Sequence, residues 1–334
     1  MKAKKRRMQA EWEQQSAVQL TWPHKDTDWA PILPEITGVY EEMAREISQR
    51  EDLIIVAPTD FAKPVANCQL AHIKSNDTWA RDHGFITVLE ESEEDREERE
   101  DLILLDFCFN GWGEKFEAKL DNEISRHLYD QGLVKGRYES HLDFVLEGGS
   151  IESDGKGTVF TTTCCLMAPH RNQPLTQTEI ESRLKEYLGA ERIVWLNHGS
   201  LIGDDTDGHI DTLVRICPED TILYTGGDAD HPDLILMEEE LKTLRTLEGR
   251  PYRLLKLPLP RPIYDGEDRL PATYANYLVI NGAVLVPTYN QPDLDAEALH
   301  IVGEAYPYRE IIGIDCRAVI KQHGSLHCCT MQYY

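Results

Sequence analysis

The feature that most constrains the fold is a recurring alternation of short apolar runs with longer amphipathic stretches. The runs at 53–58, 84–89, 102–109, 158–165, 193–196, 212–216, 222–225, 277–286 and 311–314 are rich in Ile, Val, Leu, Thr and Phe and are bounded by Gly, Pro, Asp or Asn. That is the pattern of strands. Between them, 36–50, 120–131, 177–188, 234–247 and 296–304 carry apolar residues three and four apart, the spacing of one helix face. Thr176 precedes Glu179 as in a capping box, and Asn281-Gly282 joins two apolar runs as a two-residue hairpin turn would. The order is broadly strand–strand–helix–strand, several times over. Such alternation predicts an α/β or mixed α+β layer fold.

No stretch of Pro, Gly and Ser long enough to be a linker divides the chain, so one domain over residues 1–334 is expected. The block 90–101, almost wholly charged and placed between two strand candidates, reads as a solvated hairpin loop. The net charge of −25 works against nucleic acid and anionic membrane as partners, because phosphate binding needs Lys and Arg to replace counterions. The same field draws cations toward an acidic cleft. No run of about 18 apolar residues is present to span a membrane. The basic start, 1–7, leads into Glu11, Trp12 and Glu13 rather than the apolar stretch of a secretory signal, so a cytoplasmic protein is expected. The eight cysteines include no C-x-x-C pair and read as reduced core thiols. General frequency alone suggests a homodimer.

Four segments concentrate reactive side chains among glycines: Asn76-Asp77-Thr78-Trp79-Ala80-Arg81-Asp82-His83-Gly84, Leu146-Glu147-Gly148-Gly149-Ser150, Asp204-Asp205-Thr206-Asp207-Gly208-His209-Ile210-Asp211, and His323-Gly324-Ser325-Leu326-His327-Cys328-Cys329-Thr330. Taken singly they have ordinary explanations: packing with a salt bridge, a turn, a surface His–Asp pair, a buried sulfur. Together they complement one another. A guanidinium is a flat cation with five N–H donors, which two carboxylates can grip. Its central carbon is a poor electrophile and calls for a thiolate nucleophile, whose pKa a bound cation lowers. A histidine must protonate departing ammonia and then activate water. Asp82, Asp211, His209 and Cys328 supply that set.

The sequence also resembles a known family. Met8-Gln9-Ala10-Glu11-Trp12-Glu13 with Thr21-Trp22-Pro23-His24, the 76–82 segment, Glu147-Gly148-Gly149-Ser150-Ile151-Glu152, Arg171-Asn172, Gly208-His209-Ile210-Asp211, Pro287-Thr288-Tyr289-Asn290 and His327-Cys328 with Thr330 and Gln332 look like the agmatine deiminases of the bacterial peptidylarginine deiminase type, in the family's order along nearly the whole chain. The resemblance implies a five-bladed α/β propeller of ββαβ units around one central site. It also implies hydrolysis of a guanidinium through a covalent thiouronium, with no metal or organic cofactor. Carried over, Cys328 is the nucleophile, His209 the acid and base, and Asp82 and Asp211 the guanidinium-holding pair. Glu147 supports that set by orienting His209, and Trp79 walls the channel. Departures are Gln322-His323-Gly324-Ser325-Leu326 where many relatives have three glycines and an Asn, Asp207 where they have Asn, and Cys329 where an aliphatic residue is expected. Cys329 is read as core.

An arginine site wants a cation for the α-carboxylate, whereas an agmatine site wants an acid for the amine. The acids at 204–207 favour agmatine, giving N-carbamoylputrescine and ammonia, with Asp205 at the amine end. The bland alternative makes these aspartates a solvated turn or cap. Free or peptidyl arginine is the alternative substrate. Other readings are a metal-assisted hydrolase using His209, Asp211, Asp204 and His327, and a cation-binding protein without turnover.

Overall fold

The structure is a computed structural model that describes residues 5–59, 61, 63–91 and 100–334. It opens with β1 (Arg6–Met8), β2 (Ala17–Thr21), α1 (Leu33–Ser48), β3 (Asp52–Ala57) and β4 (Gln69–His72). The helical turn α2 (Ala80–His83) leads into β5 (Ile86–Glu91), β6 (Glu100–Cys108), the turn α3 (Gly111–Glu114), α4 (Asp121–Asp130) and β7 (Arg137–Val145). Then come β8 (Ile151–Ser153), β9 (Thr158–Thr162), the turn α5 (Thr163–Leu166), α6 (Gln177–Leu188) and β10 (Arg192–Leu196). The next group is β11 (Val214–Cys217), β12 (Thr221–Thr225), α7 (Pro232–Thr243) and β13 (Arg253–Leu257), followed by a small ribbon, β14 (Tyr264–Asp265) with β15 (Asp268–Arg269). Last are β16 (Leu278–Ile280), β17 (Ala283–Thr288), α8 (Pro292–Ala305), β18 (Glu310–Asp315) and β19 (Thr330–Tyr333).

One topology recurs in five sheets. In β5–β6–β7, β8–β9–β10, β11–β12–β13 and β16–β17–β18, the first strand pairs antiparallel with the second and the second pairs parallel with the third. A parallel pair needs a crossover, and a helix makes it each time. The fifth sheet joins the two ends of the chain: β19 pairs antiparallel with β2, and β2 parallel with β3 across α1. The fold is mixed α/β, as the alternation predicted.

Local chemistry explains the elements. α1 buries Ile36, Val39, Tyr40, Met43, Ala44 and Ile47 along one stripe. α6 has the reciprocal Thr176–Glu179 capping box and stops at Gly189, with φ 67°, a left-handed position that glycine fills without strain. Asn281-Gly282 turns between paired Ile280 and Ala283. α7 and α8 start earlier than the apolar spacing indicated, because Pro232 and Pro292 occupy the first helical position, where the missing N–H has no cost. α7 also ends at Thr243, short of the expected 247; Leu244 is extended and Thr246 N–H bonds the Arg250 carbonyl in a turn. The run 158–165 ends as a strand at Thr162, whose hydroxyl accepts from Cys165 N–H to start α5. Of the charged block 90–101, its flanks pair as β5 and β6, and 92–99 lies outside the described residues. Among the described residues no helix is long and apolar enough to cross a membrane.

Candidate active site

Each of the five sheets contributes one loop just ahead of its antiparallel first strand. Asp82 precedes β5, Glu147 precedes β8, His209 and Asp211 precede β11, Asn276 precedes β16 and Cys328 precedes β19. Strands end there and the backbone is free to turn, so side chains from distant parts of the sequence meet. Cys328 Sγ lies 3.9 Å from Asp211 Oδ2 and 3.4 Å from Asn276 Oδ1. His209 Nδ1 lies 3.7 Å from Asp82 Oδ1. Gly149 sits among them: a Cβ built there would be 2.6 Å from His209 Nδ1, 2.9 Å from Asp82 Oδ1 and 3.0 Å from Asp211 Oδ2. Cys328, His209, Asp82 and Asp211 are therefore together, and all four are buried.

The two aspartates are held differently. Asp82 accepts from Trp112 Nε1 and from Gly149 N–H, both at 3.0 Å. Burial raises its pKa, with nearby His209 opposing and Asp211 and Glu147 adding to the rise. Burial also pushes on Asp211, but the hydrogen bond and charge of His327 (2.7 Å), with His209 and Arg215, outweigh it and hold the carboxyl below its usual range. Asp211 Oδ1 and both ring nitrogens of His209 are buried without a hydrogen-bond partner. Three buried polar atoms left open in one place are what a missing polar ligand would satisfy. Cys328 is raised well above an ordinary thiol by burial and then by Asp211 and Asp82.

A narrow pocket leads to Cys328, lined by Trp79, Asp82, Trp112, Asp205, Thr206 and the 322–324 segment. Trp79 packs on Trp29 at 5.6 Å between centroids. Gly324 lies flat against the Trp79 ring, where a Cβ would come within 2.2 Å. The three acids at 204–207 divide. Asp204 accepts from Thr206 and from Gly208 N–H (2.6 Å), the turn that the bland alternative described. Asp207 pairs with Arg171 (2.7 Å) and Lys115 (2.8 Å), so its charge beside His209 is compensated. Asp205 alone lines the pocket, 3.7 Å from His323.

Other expectations need correction. Glu147 makes no hydrogen bond to His209; its carboxylate is taken by Arg171 Nε at 2.9 and 3.3 Å, a pair with no exposed side-chain surface. The set His209, Asp211, Asp204 and His327 does not converge as metal ligands. The clusters with ligand-like spacing among the described residues are Glu147–Cys165–His209 and Glu11–Glu152–His327, and their carboxylates already hold Arg171 and Arg215. Cys329 lies in the core, where burial raises it to about 12.

Two residues at the site escaped the sequence reading. Asn276 Oδ1 accepts from the N–H of His327 and of Cys328 at 3.1 and 3.3 Å, fixing the nucleophile's loop. Its only sequence signal is an Asn just ahead of a strand. Trp112, with φ 56°, stands between Gly111 and Gly113, both also at positive φ. A tryptophan in the left-handed region is uncommon, and the Gly-Trp-Gly triplet was its available signal.

A loop-built pocket on this repeated ββαβ scaffold defines a class, and the comparisons agree. The family model for Porphyromonas-type peptidyl-arginine deiminases matches residues 7–333, and the chain belongs to that family. Among its relatives is the agmatine deiminase of Pseudomonas aeruginosa (strain LESB58), 32% identical over 98% of this chain and 95% of that one. A Campylobacter jejuni agmatine deiminase, solved as a cysteine-to-serine variant with substrate bound, is 36% identical with a TM-score of 0.91, covering 100% of this chain and 98% of that one. A Porphyromonas gingivalis structure provisionally named an arginine deiminase is 49% identical with a TM-score of 0.90, covering 98% of both chains.

Proposed function

We propose that this protein hydrolyses the guanidinium of agmatine to N-carbamoylputrescine and ammonia. The observation that carries the reading is the convergence of Cys328, His209 and two buried carboxylates beside the pocket that Asp82 and Cys328 line, in a chain whose relatives include agmatine deiminases. The guanidinium lies between Asp82 and Asp211, its N–H groups donating to the open Asp211 Oδ1 and to Asp82, whose oxygens also accept from Trp112 and Gly149. It also brings a positive charge beside the two acids. By neutralising the two acids that raise Cys328, it favours the thiolate, and the thiol proton leaves to solvent.

Cys328 Sγ then attacks the guanidinium carbon, forming a C–S bond while the C=N electrons move onto nitrogen. His209 protonates one nitrogen, the C–N bond breaks and ammonia departs, leaving a thiouronium on Cys328. His209, now neutral, takes a proton from water. The hydroxide adds to the same carbon, the C–S bond breaks with sulfur leaving as thiolate, and the hydroxyl proton passes to solvent as the C=O of the ureido product forms.

Agmatine is favoured over arginine because Asp205 faces the pocket and no Lys or Arg lies among the pocket's described lining residues. An α-carboxylate has no cation there to meet it. Ammonia release gives kcat/KM for agmatine, free arginine and a blocked peptidyl arginine. Agmatine should lead, and Cys328→Ser should abolish turnover while leaving the fold intact. A lead for arginine refutes the argument from Asp205, and substantial activity in Cys328→Ser refutes the mechanism. We further infer that the five units form one five-bladed propeller. The recurring topology and the pre-strand origin of every site loop support it.

A further inference from the structure

The N-terminal segment 8–13, marked in the sequence only as part of a resemblance, reaches the buried side of the site. We propose that Glu11 and His327 are positioning residues for Asp211: they form a buried relay that fixes one carboxylate oxygen and leaves the other aimed at the substrate. His327 Nδ1 is 2.7 Å from Asp211 Oδ2, and His327 Nε2 contacts Glu11 Oε1. Both carboxyls resist protonation. For Glu11, burial pushes up, but the charges of Arg215 and His327 bring it well below the usual range. Asp211 is likewise held low. A carboxylate only accepts, and each imidazole nitrogen faces one carboxylate, so His327 is a fixed bridge between two acids.

The far end of the relay is equally tied down. Glu11 Oε2 accepts from Arg215 Nη2, and Arg215 Nε pairs with Glu152. Arg215 Nη1 donates to the carbonyls of Ala275 and Tyr277, which flank Asn276. Arg81 Nη1 lies 3.5 Å from Glu11, and Arg81 N–H bonds the Cys328 carbonyl at 3.1 Å. Glu11 thus touches groups next to Asp82, Asn276 and Cys328 as well as the partner of Asp211. The consequence sits at Asp211 itself. Oδ2 is taken and Oδ1 is buried without a partner, so one oxygen, in one orientation, is available to a guanidinium N–H. The carboxylate is preorganised rather than free to rotate.

This inference rests on the guanidinium-binding reading, and the experiment separates the two. Glu11→Gln and His327→Leu are made alone and with Asp211→Asn. Agmatine KM and kcat are measured in the active enzyme, and agmatine affinity by calorimetry in a Cys328→Ser background. In Glu11→Gln an amide N–H must face either Arg215 or His327, both donors. Loss of one charge-assisted contact raises KM and Kd on the order of 10- to 100-fold, with kcat less affected. Once Asp211 is Asn, the same changes add less than about 2-fold, because positions acting through one group are not additive. His327→Asn keeps a donor near the Nδ1 position and should recover much of what His327→Leu loses. Equal losses in both backgrounds, or equal behaviour of Asn and Leu at 327, overturn the relay. The Asn–Leu contrast, with Glu11→Gln, decides the question even where His327→Leu folds poorly or Asp211→Asn binds too weakly to titrate. A wild-type enzyme that releases no ammonia from any guanidinium compound refutes the functional reading instead.

Discussion

Gly149→Ala asks whether the site depends on close approach or only on its reactive groups. Gly149 has no positive φ, so alanine fits its backbone, and the whole effect comes from space. To reach ordinary contact at 3.4 Å from the new Cβ, His209 Nδ1 must retreat by about 0.8 Å, Asp82 Oδ1 by about 0.5 Å and Asp211 Oδ2 by about 0.4 Å. The two carboxylates cannot do so freely, and His209 is fully buried. Asp82 is held by Trp112 and by the Gly149 N–H, and Asp211 by His327. Overpacking of this kind costs about 1–3 kcal/mol, a drop in Tm of about 1–4 °C for a chain of 334 residues. Misplacement approaching 1 Å costs about 100-fold in rate. The expected result is a fall of about 100-fold in kcat/KM for agmatine with a folded protein. Gly38→Ala is the control, since Gly38 lies within α1 with nothing within 4 Å of its Cβ position; it should gain about 0.5–1 kcal/mol and keep full activity. A Gly149→Ala enzyme within 3-fold of wild type would refute the reasoning.

Three further outcomes are expected. Asp205→Asn should raise the agmatine KM about 2- to 5-fold, the scale of a half-exposed ion pair, and leave kcat and the arginine KM unchanged; equal effects on both substrates would remove Asp205 from the amine end. Arg171→Met strands the buried Glu147 carboxylate and should cost about 3–5 kcal/mol in urea unfolding, whereas a loss below ~1 kcal/mol would mean that the pair is dispensable. Stability should peak near pH ~4 in thermal scans. Burial raises Asp121 and Glu51 to about 7 and Asp77 and Asp106 to about 6, so their stabilisation is complete below the ordinary carboxylate pKa of ~4 and is lost as pH rises through 6 and 7. His83, lowered by burial to about 3, opposes this with one proton against four. Below pH ~4 the sign reverses, because Glu11 and Asp211, held low in the folded state, lose their stabilisation as they protonate. A midpoint that climbs steadily from pH 5 to 8 would contradict this balance.

What the sequence revealed and what it hid divide along physical lines. Central strands such as β3, β9, β12 and β17 are buried almost throughout, and their continuous apolar runs make them easy to read. The third strands β7 and β13 are half-exposed and carry Arg, Glu, Lys or His; β4, with its polar ends, is similar. Their sequences resemble loops, and only pairing reveals them. The same limit applies to β19, whose strand character depends on β2 at the other end of the chain. At the site, local chemistry singled out the Cys, His and Asp residues, but not their partners. Glu147 is bound to Arg171, 24 positions away, and Asp211 to His327, 116 positions away. A glycine shows the difference most plainly. In sequence, Gly148-Gly149 marks a turn. In three dimensions, a Cβ at Gly148 would lie 2.2 Å from the Arg81 carbonyl and one at Gly149 among three reactive groups, so both glycines are required by atoms contributed from other sheets. A motif records which residue types a site needs. The space between them is set by loops ahead of five separate strands, and no short window of sequence contains it.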